Sequence, residues 1–250
     1  MDHPAFDHPI FTESIRRIRA ALADAGAPEA WRQAARRCAA PAERDVLERC
    51  VHSSGDPAIA PDLVFAPPAS AAAQGMEALA AGAVILTDTA MAAAAVAPMA
   101  RRTFANRVRC LLDWAPAQAT PGQTRSAAAV AAAWRELTAG AGPQVPAPVV
   151  LIGSAPTALE RLLDLLEPNP APGRDAAAPR AQAPSLLIGM PVGFVGVAES
   201  KRRLAASGLA QIRLEGSRGG AALVAAACNA LLRAAWLQAA RSPPAPGPFP

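Results

Sequence analysis

A mostly parallel α/β sheet of about six strands, in three layers with helices on both faces, is the fold class this sequence predicts. Three observations carry it. From residue 62 onward, short apolar runs alternate with helix-length stretches. The runs are followed by small, polar or glycine-rich residues. The intervening stretches are long enough for the right-handed crossovers that join parallel strands. Ligand sites in such sheets lie beyond the carboxyl ends of the strands.

The elements follow in order. Residues 1–9 form a lead-in carrying His3 and His8. Ile10–Leu22 has helical spacing, with Ile10, Ile15, Ile18 and Leu22 on one side and arginines on the other. Ser14 is polar within that helix, and the plain reading is a surface serine. A second helical region spans Pro28–Val51, with Ala40-Pro41-Ala42 as a point of interruption. It runs out as Arg49-Cys50-Val51-His52-Ser53-Ser54-Gly55, where Gly55 is a natural helix stop. His52 thus stands at a helix C-terminus, where the dipole favours cations. It serves there either as a cap for the last carbonyls or as a functional group.

The repeating units come next. Leu63–Phe65 is a strand and Ala69–Ala81 a helix; Val84–Leu86 is a strand opening into Thr87-Asp88-Thr89, and Ala90–Ala100 a helix with Pro98 at its end. Arg107–Leu112 is a strand, and Thr124-Arg125-Ser126 starts the helix Ala127–Leu137. Val149–Ile152 leads through Gly153-Ser154 to the helix Ala158–Leu166. Leu186–Ile188 enters a glycine-rich turn and then a helix containing Glu199 and Lys201. Gln211–Leu214 precedes Gly216-Ser217-Arg218-Gly219-Gly220 and the long helix Ala221–Gln238. Thr87, Asp88, Arg125, Ser154 and Arg218 all follow strands or start helices, so this topology can gather them at one edge. Glu167–Pro184 reads as a surface insertion, Ala139–Pro148 as a shorter loop of the same kind, and 241–250 as a disordered proline-rich tail behind a single domain over 1–240.

Composition narrows the function. The chain has 250 residues, 52% hydrophobic and 18% charged, enough for a sizeable core. No charge-free apolar run reaches the roughly 18 residues of a membrane span, and the start lacks a secretory pattern, so the expectation is a cytoplasmic protein with no membrane partner. Cys38, Cys50, Cys110 and Cys228 form no CxxC pair and read as small buried side chains. The net charge of +4 and 4% aromatic content give no nucleic-acid footprint. Separated arginines suit a polyanionic small molecule.

The chemical inventory is short. Of three histidines, only His52 lies outside the lead-in, and there are no tyrosines. His52 is therefore the best single general acid or base. GxSxG and a metal-ligand cluster are both missing from the sequence. Gly189, Gly193 and Gly196 give GxxxGxxG, which is not a dinucleotide fingerprint. An acid–base isomerase or lyase working without a cofactor, or a binding protein, survives.

Several stretches together resemble the precorrin-8X methylmutase family of corrin-ring biosynthesis. They are Ile10-Phe11-Thr12-Glu13-Ser14, residues 49–55, Ile85-Leu86-Thr87-Asp88-Thr89-Ala90-Met91, Thr124-Arg125-Ser126-Ala127-Ala128, residues 152–159, Gly189-Met190-Pro191-Val192-Gly193-Phe194-Val195-Gly196 with its continuation to Lys201, and Arg218-Gly219-Gly220. They occur in family order. The resemblance implies a flavodoxin-like sheet, a homodimer with its site near the subunit interface, and a methyl shift from C11 to C12 of precorrin-8X, or of its cobalt counterpart, to give hydrogenobyrinate. It implies no cofactor, a tetrapyrrole partner, and hand-over to other enzymes of the pathway. It places the acid–base role on His52 and substrate contacts on Ser14 and Arg49. By the same resemblance and their positions after strands, Thr87, Asp88, Arg125, Ser126, Ser154, Met190, Gly193 and Arg218 are expected to line the substrate, residues 189–196 forming a glycine-lined wall. The competing expectation is a corrinoid carrier without turnover, which needs no acid at His52.

Overall fold

A computed structural model describes residues 6–119, 121–139, 146–167 and 182–241. Most of the expected insertion, most of the 139–148 loop, all but the first residue of the tail, and His3 lie outside them.

Three helices come first: α1 (Pro9–Ala23), α2 (Glu29–Arg37) and α3 (Pro41–Ser54), the interruption at Pro41 becoming the first residue of α3. Proline suits that position because its missing N–H would be unpaired there in any case. Gly55 ends α3 in the left-handed conformation, φ 67°, which a side chain would disfavour. A 3-10 helix (Pro57–Asp62) then leads into the sheet.

The strands are β1 (Leu63–Ala66), β2 (Ile85–Thr87), β3 (Val108–Cys110), β4 (Val149–Ile152), β5 (Leu186–Gly189) and β6 (Gln211–Leu214). They lie in the order β1-β6-β5-β4-β2-β3. The five strands β2–β6 are parallel and carry the flavodoxin-like order, in which the direction of winding reverses between β2 and β4. The sixth, β1, pairs antiparallel with β6, Leu63 opposite Leu214. An antiparallel edge is common in otherwise parallel sheets. The expected strand at Arg107–Leu112 is shorter, because Leu111–Trp114 turns into a 3-10 helix.

Side chains alternate across the sheet and build two cores. Ile85, Val149, Leu151, Leu186 and Ile188 face α4 (Ser70–Ala80), α5 (Ala90–Arg102) and α9 (Ala221–Arg241). Leu86, Val150, Ile152 and Leu187 face α6 (Arg125–Thr138), α7 (Pro156–Leu166) and α8 (Val197–Ala206). Pro98 sits inside α5 rather than ending it. In length and composition α9 is apolar enough to cross a membrane. Here it is a core helix, packed against α3, α4 and α5. The amino-terminal helices form a further layer on α9, and this layer carries His52.

Candidate active site

The last turn of α3 is drawn to the carboxyl edge of the sheet by α9. Ser53 Oγ donates to the Ala222 carbonyl at 3.5 Å, and Gly220 N–H donates to the carbonyl of Met190, just past β5, at 2.9 Å. His52 is exposed there. Its Nδ1 is hydrogen-bonded to Ser14 Oγ at 2.8 Å, and the Phe11 ring meets it edge-on at a centroid distance of 5.3 Å. Phe11 also lies under the guanidinium of Arg49, 4.4 Å from the ring centroid. Phe11, Ser14, Ile18 and Leu22 recur at 3, 4 and 4 residues, so one stripe of α1 faces α3. Ile10, expected on that stripe, is instead 74% exposed.

A cavity of about 360 Å³ opens beside this group, between Phe11, Arg49, Asp45, Ala230 and Arg233. Arg233 is held by Asp7 and Asp45, and Arg19 by Glu48. Among the described residues no carboxylate pairs with Arg49. Its burial, and Arg233 nearby, lower its affinity for a proton. The bidentate face of Arg49 is thus available to an incoming carboxylate.

A second group stands at the β2/β4 reversal. Asp88, 1% exposed, follows β2, and its Oδ2 accepts from the backbone N–H groups of Gly153, Ser154 and Ala155 at 3.0, 2.6 and 2.8 Å. These N–H groups precede α7, a position that in such sheets often cradles an anion. Here the chain fills the cradle with its own carboxylate. Burial raises the Asp88 pKa, and the three N–H bonds oppose that rise. Thr87 is fully buried, its hydroxyl donating to the Thr89 carbonyl at 3.0 Å. Thr124 Oγ1 bonds Thr157 Oγ1 at 2.7 Å, tying the starts of α6 and α7 together. Ser126 is buried beside them, and Arg125 is exposed, its Nε donating to the Pro116 carbonyl at 3.1 Å.

The third group is the loop after β5. Met190 is fully buried, because it continues the core-facing register of β5. Gly219 passes so close that a Cβ there would lie 2.0 Å from the Met190 carbonyl oxygen. Beyond it the loop turns outward: Gly193 is partly covered, while Phe194 and Val195 are 97% and 88% exposed. The expected bare glycine wall is therefore an apolar tip standing on a tightly packed base. Arg218 turns its guanidinium toward Asp56, Asp62 and the Ala58 carbonyl.

Ser14 is thus bonded to His52, and Phe11 bridges His52 and Arg49. Thr87, Asp88, Arg125, Ser126 and Ser154 gather around the β2/β4 crevice, and Met190, Gly193 and Arg218 lie between the two groups. Sequence reasoning did not single out Phe11 or Asp56 as parts of the site. Phe11 was readable, since it precedes Ser14 by three positions on one helix face. Asp56 carried no local signal.

The fold is a flavodoxin-like α/β sheet with an exposed imidazole, hydrogen-bonded to a serine, beyond its carboxyl edge. The sequence pattern of the precorrin-8X methylmutase family matches residues 9–234. A precorrin-8X methylmutase of Pseudomonas aeruginosa is 47% identical over 197 residues, covering 76% of this chain and 84% of that protein. A cobalt-precorrin-8 methylmutase of Synechocystis is 34% identical over 206 residues, 78% and 86% of the two chains. The crystal structure of a precorrin-8X methylmutase from Thermus thermophilus superposes with a TM-score of 0.68 at 33% identity, covering 91% of this chain and 98% of that one. The chain belongs to the precorrin-8X methylmutase family and is an isomerase of cobalamin biosynthesis.

Proposed function

We propose that this enzyme moves the methyl group of metal-free precorrin-8X from C11 to C12, giving hydrogenobyrinate, with His52 as the acid. The observation that carries this reading is the 2.8 Å bond between Ser14 and His52 Nδ1. In the imidazolium both ring nitrogens are donors. Ser14 accepts from Nδ1, which fixes the ring and leaves the Nε2 proton to be offered to a nitrogen of the macrocycle. Protonation there draws electron density toward the migration path. The C11–CH₃ bond breaks as the C12–CH₃ bond forms, and the borrowed proton returns to His52. No atom is gained or lost. Arg49, without a carboxylate partner among the described residues, and the exposed Arg125 hold acetate or propionate groups of the substrate in this reading.

Preference for the metal-free ring is supported by the pattern of relatives. The relatives of Pseudomonas and Sinorhizobium named precorrin-8X methylmutase are 47% and 42% identical, and five named cobalt-precorrin-8 methylmutase are 28–34% identical, although the Thermus precorrin-8X methylmutase is 33% identical. The exposed Phe194 and Val195, with Met91 at 70% exposure on the same edge, support a homodimer in which a second copy covers part of this edge. Four buried free cysteines support a cytoplasmic setting.

The test is His52→Ala supplied with precorrin-8X while absorbance is followed. Loss of conversion by about 10²–10⁴-fold is expected for removal of a general acid. Turnover near the wild-type rate sinks the assignment. Parallel incubation with cobalt-precorrin-8 decides the metal: faster conversion of the cobalt ring overturns the metal-free reading.

A further inference from the structure

We propose that Arg218 is a positioning residue for His52, clamping the segment that follows α3, and that Lys201 holds Arg218 in place. The inference rests on the reading of His52 as the acid.

Lys201 lies on α8 with no exposed surface. Its Nζ donates to the carbonyls of Gly216 and Arg218 at 2.8 and 2.7 Å. Both acceptors belong to the turn between β6 and α9. That turn is also tied to the loop after β5, through Gly193 N–H to the Ser217 carbonyl at 3.1 Å and Gly220 N–H to that of Met190. A buried ammonium bonded to two carbonyls of one turn sets where that turn's backbone runs.

From this fixed backbone the Arg218 guanidinium reaches back across the fold. Nη1 donates to Asp56 Oδ2 at 3.0 Å; Nη2 donates to the Ala58 carbonyl at 2.8 Å and to Asp62 Oδ2 at 2.5 Å. A planar fork bridging two carboxylates and a carbonyl fixes direction as well as distance, which a point charge does not. Asp56 lies four residues after His52. Its N–H donates to Ser54 Oγ at 3.1 Å, and Ser54 Oγ donates to the Val51 carbonyl at 3.2 Å. The last turn of a helix lacks the i+4 bonds that hold its interior. The end of α3 is accordingly held from outside, and the Ser14–His52 bond depends on that hold. A guanidinium committed in this way acts on the reaction through His52.

The test uses the full-length protein with Arg218→Gln, Lys201→Met, Asp56→Asn and the Asp56→Asn/Arg218→Gln pair. Turnover of precorrin-8X is measured, and ¹H–¹⁵N spectra of the free proteins read the His52 ring nitrogens. Arg218→Gln is expected to lower kcat about 10-fold or more with KM held within about twofold, and to move the Nδ1 resonance. Lys201→Met shifts both readings in the same direction, and the double variant is no slower than the slower single one. Asp56→Asn removes one arm of the clamp without touching Arg218, so the question stays answerable if Arg218→Gln does not accumulate. A raised KM with kcat retained overturns the proposal, since Arg218 would then hold a substrate carboxylate. So do additive losses in the double variant, or an unmoved Nδ1 resonance in every variant. The resonances need no turnover: a moved Nδ1 in a chain that converts no precorrin-8X supports the clamp while sinking the reading of the reaction.

Discussion

The end of α3 and the β2/β4 crevice both stand beyond the carboxyl ends of the strands, yet they spend their polar groups in opposite ways. At the end of α3 the His52 ring is open to solvent, and Arg49 rests on an aromatic face with no carboxylate partner among the described residues. At the crevice Asp88 is buried with three N–H groups on one oxygen, and Thr87 is sealed beneath it. A polar group that must meet substrate has to keep its bonding capacity free, which costs little for the solvent-exposed His52 and more for the partly buried Arg49. A polar group that shapes a loop has to be buried and bonded, because an unpaired one in the interior is costly. Under the proposed reading, the difference separates a reactive surface from the frame that carries it.

The sharpest break in that comparison is to exchange the kinds of damage. His52→Ala should abolish most turnover and leave the urea midpoint within the error of the measurement, because the ring is exposed. Asp88→Ala should do the reverse in kind. It strands the N–H groups of residues 153–155, and a loss of about 3 kcal/mol in urea unfolding is expected. A midpoint equal to wild type would show that Asp88 is not part of the frame. Ser14→Ala tests the reactive side more gently. It removes the partner of Nδ1 and lets the ring rotate, so kcat should fall about 10-fold with stability unchanged. A rise in KM alone would make Ser14 a binding group only.

The smallest effect concerns pH. Burial pushes the Lys201 ammonium down to about 8, with Glu215 and Asp62 pulling the other way. Its unfolded value is about 10.4. Between these values the unfolded chain holds more protons than the folded one, so stability rises with pH across that interval and is lowest, on this account, below pH 8. The Tm difference between wild type and Lys201→Met should therefore shift in favour of wild type from pH 7 to pH 10. A constant or shrinking difference would mean that Lys201 keeps an ordinary pKa.

Much of the frame was legible in the residues. Apolar runs of strand length, each followed by a helix, forced an α/β sheet, and Gly55 marked the end of the helix that carries His52. The spacing of three between Phe11 and Ser14 also allowed one shared helix face, but the apolar count favoured Ile10 and Ser14 read as a surface serine. Elimination narrowed the chemistry only to an acid–base isomerase or lyase, or a binding protein, with His52 as the candidate acid, and the resemblance was needed to choose among them. Met190 misled: it was expected to line the substrate because its motif resembles the family's, while the strand register before it carries its side chain into the core. Leu111 and Leu112 misled in the other direction, apolar residues that a 3-10 turn takes out of the strand.

By itself, then, the sequence determined local matters: which segments are strands or helices, where α3 stops, and that a single histidine lies beyond the lead-in. These depend on neighbours within a turn or two, whose spacing is written in the chain. The tertiary structure alone decided that β1 runs against β6, that Asp88 fills the anion cradle before α7, and that Arg218 reaches Asp56, 162 positions away. Each of these is a pairing between distant groups of complementary charge or hydrogen bonding. Many such pairings are compatible with one composition, and only packing on a common sheet brings one of them within 3 Å.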